Sequence, residues 1–309
     1  MLNKLSTIFE CSRIFALPMT IMSWLVIFTY STLAAGNVKY GIVALIAVSL
    51  VHLAANILDD YFDYKTLIKQ VDFDKKEYLK NSQKTKCRYL VSGRVKERDI
   101  LILSLIYLLI ALTIGVFFYF KCGIGVFYYA LIGGLIAISY SFLSKIKLSE
   151  IAIATTYGPA LFGGIYYVMT KTYSWEVFVL SIPTAIVTVI LLYIHTVMDY
   201  EFDVNEGHNT LANSFDSPLD SLVVLKYLLI AAYLAPILLC LLDIADWQVL
   251  LSWFTIPLAT DLYQSMIEYT TNSESIPKHK WFHFPMENMR GAPSFMTRMF
   301  QSRNLAIYY

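Results

Sequence analysis

Two short acidic segments carry the residue types best suited to catalysis. The first reads Asn56-Ile-Leu-Asp-Asp-Tyr-Phe-Asp63, and the second reads His195-Thr-Val-Met-Asp-Tyr-Glu-Phe-Asp203. Residues three or four positions apart share one face of a helix, so a helix through either segment places its polar side chains on one side. A shift of 139 positions superimposes Asp60 on Asp199 and Asn56 on His195. The same polar arrangement therefore occurs twice in the chain.

Carboxylate clusters of this kind favour a hard divalent cation. Mg²⁺ takes oxygen ligands, retains several waters and binds through one or two carboxylates together with substrate phosphates. The alternative, in which these acids are only solvated residues near helix ends, explains one cluster as well as a metal does. It does not explain two clusters that match in spacing and position. We therefore predict that the two clusters bind a hard divalent cation such as Mg²⁺.

The composition of the 309-residue chain indicates a membrane-embedded protein. Hydrophobic residues make up 57% of the chain and charged residues only 15%, where soluble domains carry about 25% charged residues. The mean hydropathy is +0.57. A net charge of +1 gives no indication of nucleic-acid binding. This composition excludes a secreted disulfide scaffold, and the four cysteines form no CxxC pair and lack regular spacing.

Eight apolar runs approach the ~20 residues that a helix needs to cross a bilayer. They cover 15–35, 39–58, 99–119, 122–143, 150–170, 175–198, 218–242 and 247–266. The two long connections, 59–98 and 199–217, follow the second and sixth runs. We predict an all-α polytopic membrane bundle of eight or nine helices, in two four-helix units around a central cavity.

The acidic segments open the two long connections, which we therefore take as active-site loops of a transmembrane domain over 1–266. The remaining 267–309 is predicted to be an interfacial or partly ordered cytosolic tail. The chain ends at 303–309, where a ninth helix could begin, so a truncated chain is one hypothesis.

The distribution of basic residues predicts the orientation. Among the 24 lysines and arginines, only Lys39, Lys121 and Lys171 fall in connections on the side opposite the two long loops. Basic residues concentrate on the cytoplasmic side of membrane proteins. We therefore expect both termini and both acidic loops to lie on the cytosolic side. The membrane is predicted to be the cell membrane.

At these residues the sequence resembles the UbiA superfamily of intramembrane prenyltransferases, most nearly the branch that prenylates 1,4-dihydroxy-2-naphthoate for menaquinone synthesis. The first family motif, N-x-x-N-D-Y-x-D, is matched by 56–63 with Asp59 at its second Asn. The second, R-D-x-x-x-D-x-x-x-G-K-x-T-L, is matched by 198–211 with Met198 and His208 in place of its basic residues. Further agreement lies at 13–18, at 92–93 and in 157–167.

The resemblance implies Mg²⁺-dependent transfer of a polyprenyl chain from its diphosphate to an aromatic quinone precursor. The resemblance also implies that the Mg²⁺ ligands are Asp60, Asp63, Asp199 and Asp203. Asp60, Asp199 and Asn56 are then the catalytic candidates. The substrate-binding candidates are Arg13, Asp59, Arg88, Tyr140, Lys145 and His195, with Arg94 as a further cation for the phosphates. Tyr157, Tyr166 and Tyr167 are aromatic residues that could face an allylic cation, although packing explains any one of them as well.

Two other functions remain open from the sequence. Residues 59–63 also match the D-D-x-x-D pattern of terpene synthases, so a membrane terpene cyclase of the same superfamily would use the same metal without an acceptor. A cation transporter would also need buried carboxylates, but transporters place ionisable groups near the bilayer midplane. Here the acids lie at the predicted helix ends, which disfavours transport.

Overall fold

The computed structural model describes residues 2–70, 73–80, 87–205, 209–283 and 293–309. Apart from one isolated bridge between Ile146 and Asn209, these residues form helices and connections and no β-strand. The helices in chain order are α1 (Leu2–Cys11), α2 (Leu17–Leu33), α3 (Val38–Leu67), α4 (Lys75–Lys80), α5 (Arg88–Val91), α6 (Glu97–Cys122), α7 (Gly125–Leu143), α8 (Ser149–Thr155), α9 (Leu161–Thr170), α10 (Trp175–Met198), α11 (Tyr200–Asn205), α12 (Pro218–Leu241), α13 (Ile256–Thr271) and α14 (Ser294–Tyr308).

Seven helices within the described residues are long and apolar enough to cross a membrane. They correspond to the first seven apolar runs, so the all-helical membrane class predicted from sequence is confirmed. The eighth run is also helical, but it is divided into a 3₁₀ helix over Trp247–Thr255 and the start of α13. Pro257 follows this division directly, and proline is favoured in the first turn of a helix.

The helix ends follow from ordinary capping chemistry. The side chain of Asn37 accepts a hydrogen bond from the Tyr40 amide at the start of α3. Ser174 and Ser217 do the same for Val177 and Asp220 at the starts of α10 and α12. These caps satisfy amides that have no partner within the helix.

One membrane-length helix is interrupted. A five-residue π-helical segment over Thr156–Ala160 separates α8 from α9, and Gly158 within it has a non-helical backbone. Pro159 lacks the amide proton that would continue the ladder. A Cβ on Gly158 would lie 2.9 Å from that of Ala185 on α10, so glycine permits the close approach of these two segments.

The chain divides into two compact units. The first consists of Met1–Phe142 with Gly163–Tyr173, and the second of Leu143–Phe162 with Ser174–Tyr309. In the first unit α3 packs mainly against α6 and also against α2. In the second, α10 packs against α12, α14 and α8. A cluster between α10, α12, α13 and α14 includes the fully buried Tyr193, Ile194 and Leu225.

Much of the apolar surface faces outward, as a bilayer requires. Only three of the 19 residues of α7 are buried, although the helix is apolar throughout. Most exposed positions of α6 are also large apolar residues, mainly leucines, isoleucines and phenylalanines. In a soluble protein such surfaces would promote aggregation. In a membrane they are the surfaces that contact lipid.

Candidate active site

The first acidic motif lies on an uninterrupted helix. α3 continues for 30 residues, past the apolar run and through Asn56, Asp60 and Asp63 to Leu67. These three polar residues therefore share one side of α3, as their spacing predicts. Asp60 is 2% exposed and Asp59 is 7% exposed, whereas Asp63 is half-buried.

Arg13 neutralises this motif in the structure. Its guanidinium forms an ion pair with Oδ1 of Asp60 and lies 3.7 Å from Oδ2 of Asp59. Burial alone would lower the pKa of Arg13, but the charges of Asp60 and then Asp59 outweigh it and hold this pKa above its ordinary value. Arg13 was predicted to bind substrate, and the structure places it directly on the motif carboxylates.

Two residues of the first long loop also contact Asp60. The Tyr89 hydroxyl donates a 2.9 Å hydrogen bond to Oδ2 of Asp60, and the Cys87 thiol donates to the Asp60 carbonyl at 3.0 Å. Tyr89 lies in the short helix α5 and is only 3% exposed. Burial, followed by the charge of Asp60, raises the pKa of Tyr89, so the phenol keeps its proton as a hydrogen-bond donor.

The segment before α2 completes this cluster. Asn56 donates a hydrogen bond of 3.4 Å to the carbonyl of Ser12. The neighbouring Cys11 is buried, and burial together with the charges of Glu10 and Asp60 raises the pKa of its thiol to about 12. The N-terminal turn, α3 and α5 therefore meet around Asp60 within the first unit.

The other loop cations predicted to hold phosphate are engaged elsewhere. Arg88 donates to the Leu79 carbonyl at 2.5 Å. Arg94 forms two hydrogen bonds with the carboxylate of Glu10, at 2.5 and 3.0 Å, on the exposed surface. Arg94 therefore belongs to an exposed ion pair in this structure.

The second motif lies where α10 ends and α11 begins. Asp199 is the residue between the two helices, and its amide donates to the His195 carbonyl at 2.9 Å. The Asp203 amide donates in turn to the Asp199 carbonyl at 2.8 Å. Helical hydrogen bonding thus connects the three predicted positions. Asp203 is buried, Asp199 is exposed and His195 is half-buried.

Lys145 belongs to a connection that lies beside this motif. Ile146 forms a parallel bridge with Asn209, and the Lys147 amide donates to the Asn209 carbonyl at 3.0 Å. The second unit thus brings the Lys145 connection next to the segment that follows Asp203. His208, which replaces a basic residue of the family motif, lies outside the described residues.

Two aromatic candidates lie far from the first motif. The Tyr167 hydroxyl donates to the carbonyl of Cys122 at the end of α6, and its ring packs 4.8 Å from that of Tyr173. The ring of Tyr166 lies 6.2 Å from that of Tyr30, near the end of α2. Asp60 lies near the end of α3, close to the starts of α2 and α6. Tyr166 and Tyr167 lie near the opposite ends of α2 and α6, so they do not contact the surroundings of Asp60. Tyr157 is buried in the second unit, and Tyr140 is half-buried in α7.

The donor set fits Mg²⁺ in its chemistry. Each motif offers carboxylate oxygens, the donors that Mg²⁺ prefers, and the ion needs only one or two from protein when phosphate oxygens supply the rest. Within the described residues no three histidine, cysteine or acidic side chains form a ready metal-binding group. Carboxylates suit a cation that binds together with a phosphate-bearing ligand.

Sequence reasoning did not identify Tyr89, Cys87 or Glu150 as residues of interest. Tyr89 and Cys87 lie in a loop without helical spacing, so nothing in the sequence connects them to Asp60. Glu150, at the start of α8, is 7% exposed and accepts a hydrogen bond from Ser149. Its position in the first turn of an apolar run, where acidic residues are favoured, is the sequence feature that could have drawn attention to Glu150.

The helices and the two acidic motifs define a polytopic membrane protein with one carboxylate motif in each unit. The model of the UbiA prenyltransferase family matches residues 16–284. The chain therefore belongs to the UbiA prenyltransferase family, and it is an integral membrane protein. The resemblance found in the motifs is confirmed.

A curated relative is the 2-carboxy-1,4-naphthoquinone phytyltransferase of Synechocystis sp., which is 26% identical over 157 residues. That match covers 49% of this chain and 51% of the relative, so it spans about half of each protein.

Solved structures show the same fold. A UbiA homologue from Archaeoglobus fulgidus bound to GPP and Mg²⁺ matches with a TM-score of 0.61 and 14% identity, over 97% of both chains. A digeranylgeranylglyceryl phosphate synthase matches with a TM-score of 0.58 and 17% identity, over 99% of this chain and 94% of the other.

Proposed function

We propose that the protein transfers a polyprenyl group from an isoprenyl diphosphate to a hydroxylated aromatic acceptor, a quinone precursor such as 1,4-dihydroxy-2-naphthoate. The observation that carries this proposal is the occurrence of one acidic motif in each unit of a UbiA-family chain. The naphthoquinone chemistry in the name of the Synechocystis relative supports the choice of acceptor. We further propose that the two loops face the cytosol, from the distribution of basic residues.

The residues of the two motifs would hold the diphosphate through Mg²⁺. Asp60, Asp63, Asp199 and Asp203 would supply the carboxylate ligands, and Asn56 would orient them. Bound Mg²⁺ supplies positive charge that stabilises the negative charge developing on the leaving diphosphate. The GPP and Mg²⁺ named for the Archaeoglobus homologue support this assignment.

Arg13 has a distinct part in this proposal. In the structure it balances the charges of Asp60 and Asp59. With Mg²⁺ held by the carboxylates, the Arg13 guanidinium would be available for phosphate oxygens, to which it could donate two parallel hydrogen bonds. Arg88 and Lys145 would contact the same diphosphate, and Asp59 would orient Arg13.

The reaction is an alkylation of the aromatic ring. The allylic C–O bond breaks, and its electron pair leaves with the diphosphate. A π pair of the acceptor ring then forms the new C–C bond, and the ring regains its aromaticity by losing either the proton of the alkylated carbon to a base or, if the carboxylated carbon is alkylated, the carboxyl group as CO₂. His195 binds the acceptor or accepts this proton, and Tyr140 presents its ring face to the allylic cation.

The proposal is tested by measuring diphosphate release in detergent from geranyl, farnesyl and geranylgeranyl diphosphates with Mg²⁺. Each donor is assayed with and without 1,4-dihydroxy-2-naphthoate, and Asp60→Asn and Asp199→Asn are compared with Asp246→Asn, an exposed aspartate outside both motifs. We expect release that depends on the acceptor and is lost only in the two motif variants. Acceptor-independent release would indicate a terpene cyclase instead. Release that neither motif variant affects would contradict the assigned site.

A further inference from the structure

The first unit contains an open groove that the acidic motifs do not use. It has a volume of about 390 Å³ and lies between the end of α3, the turn after α5 and the start of α6. Its lining residues are Tyr64, Leu90, Gly93, Val95, Lys96, Glu97 and Arg98. A Cβ on Gly93 would meet no atom within 4 Å, so the groove is open at this point.

The groove carries uncompensated positive charge. Glu97 forms an ion pair with Lys65 of α3, which balances its charge. Lys96 and Arg98 are exposed, and neither has an ion-pair partner among the residues that the structure describes. Asp99 is also exposed but does not line the groove. Two cations beside an apolar floor of Leu90 and Val95 thus favour an anionic, amphipathic ligand.

An apolar stripe begins directly below Arg98. Ile102, Leu105, Leu109 and Leu112 follow it at steps of four, three, four and three residues, which place them on one face of α6. These four side chains are between 44% and 62% exposed. The stripe therefore leads from the groove along the outer surface of a membrane-length helix. A lipid could place its headgroup in the groove and its acyl chain along the stripe. A free anion would contact only the groove.

We propose that this groove binds the phosphate headgroup of an anionic phospholipid, with one acyl chain along the stripe on α6. Basic pockets at the ends of membrane helices bind acidic headgroups, and anionic lipids are found in the cytoplasmic leaflet. Basic residues of membrane proteins also concentrate on the cytoplasmic side. The lipid contacts Lys96 and Arg98 and leaves the acidic motifs untouched. The inference is independent of the prenyl-transfer reaction.

The test is lipid binding by native mass spectrometry of the purified full chain. The delipidated protein is titrated with phosphatidylglycerol, with phosphatidylcholine of the same acyl chains, with glycerol 3-phosphate and with inorganic phosphate. Lys96→Gln/Arg98→Gln is compared with Lys39→Gln/Lys121→Gln, which removes two exposed lysines at the opposite ends of α3 and α6. Thermal unfolding in detergent verifies that both double variants are folded.

We expect phosphatidylglycerol to bind the wild type in preference to phosphatidylcholine. Its affinity should fall about fivefold for each groove cation removed, roughly 25-fold for both, and stay unchanged in the control. Equal loss in the control would show that any surface cation suffices and would overturn the proposal. Equal binding of glycerol 3-phosphate or phosphate would assign the groove to a free anion. Loss of geranyl diphosphate binding instead of lipid binding would assign it to the substrate.

Discussion

The hydroxyl of Tyr89 donates a 2.9 Å hydrogen bond to Oδ2 of Asp60, while Arg13 forms an ion pair with the other oxygen of the same carboxylate. Both oxygens of the central aspartate of the first motif are therefore held before any ligand arrives. If a cation bound to Oδ1 of Asp60, Arg13 would have to release this oxygen, whereas the neutral Tyr89 could keep its contact with Oδ2. Tyr89 thus orients the carboxylate in both situations.

Replacement of Tyr89 by phenylalanine should raise the Mg²⁺ concentration for half-maximal activity about tenfold, because groups that orient metal ligands contribute about this much to metal affinity. The maximal rate at saturating Mg²⁺ should change much less. The readout is a Mg²⁺ titration of diphosphate release, together with Mn²⁺ binding followed by electron paramagnetic resonance.

Tyr193→Phe is the matched control for Tyr89→Phe. Tyr193 is also buried, and its hydroxyl donates to the Ser221 carbonyl at 2.8 Å rather than to a motif carboxylate. The Tyr193→Phe variant should be less stable than the wild type, but its Mg²⁺ concentration for half-maximal activity should be unchanged. An unchanged Mg²⁺ titration in Tyr89→Phe would show that its hydrogen bond does not orient Asp60.

Replacement of Arg13 by glutamine should destabilise the protein by about 3 kcal/mol, because it leaves buried carboxylates without their compensating charge. Added Mg²⁺ should restore part of this loss by replacing the charge. The measurement is thermal unfolding in detergent with and without millimolar Mg²⁺. Arg94→Gln is the control, since its pair with Glu10 is exposed and surface pairs contribute about 0–1 kcal/mol. Equal effects of the two substitutions would contradict the account.

Asp261 should hold residues 276–283 in place. Its carboxylate accepts hydrogen bonds from His283 at 2.6 Å and Gln301 at 3.0 Å and forms an ion pair with Lys280. Asp261→Asn should increase amide hydrogen exchange in 276–283 about tenfold, as expected for loss of charged hydrogen bonds. Exchange in α12 should stay at the wild-type rate. Unchanged exchange in 276–283 would show that other contacts hold this segment.

Gly163 should tolerate no side chain, because a Cβ there would lie 2.4 Å from the ring of Tyr129. Gly163→Ala should lower stability by about 1–3 kcal/mol through overpacking. Gly115→Ala, where a Cβ meets nothing within 4 Å, is the control and should change stability by about 1 kcal/mol or less. Thermal unfolding compares the two, and equal melting temperatures would contradict the close packing of these segments.

The helices and the continuation of α3 through its motif could be predicted because they depend on local pattern. Apolar runs of membrane length form helices whatever surrounds them, and the spacing of Asn56, Asp60 and Asp63 is a property of one helix. The break at 255 was missed because the apolar run is continuous across it. No sequence pattern marks a 3₁₀ helix of nine residues.

The partners of Asp60 could not be predicted in the same way. Arg13 and Tyr89 approach it from 47 residues before and 29 residues after, and a contact at that separation leaves no periodic signal. The positions of Arg88 and Arg94 show the same limit. Both lie in the predicted loop, but their actual partners, the Leu79 carbonyl and Glu10, depend on how that loop folds.

The most direct test of the central claim is the mass of the product formed from geranylgeranyl diphosphate and 1,4-dihydroxy-2-naphthoate in the presence of Mg²⁺. The account predicts a product that contains the acceptor ring and one geranylgeranyl group, formed by the wild type and absent with Asp60→Asn and with Asp199→Asn. A geranylgeranyl-derived hydrocarbon or alcohol without the aromatic ring would contradict it. So would an aromatic product made equally well by the wild type and both variants.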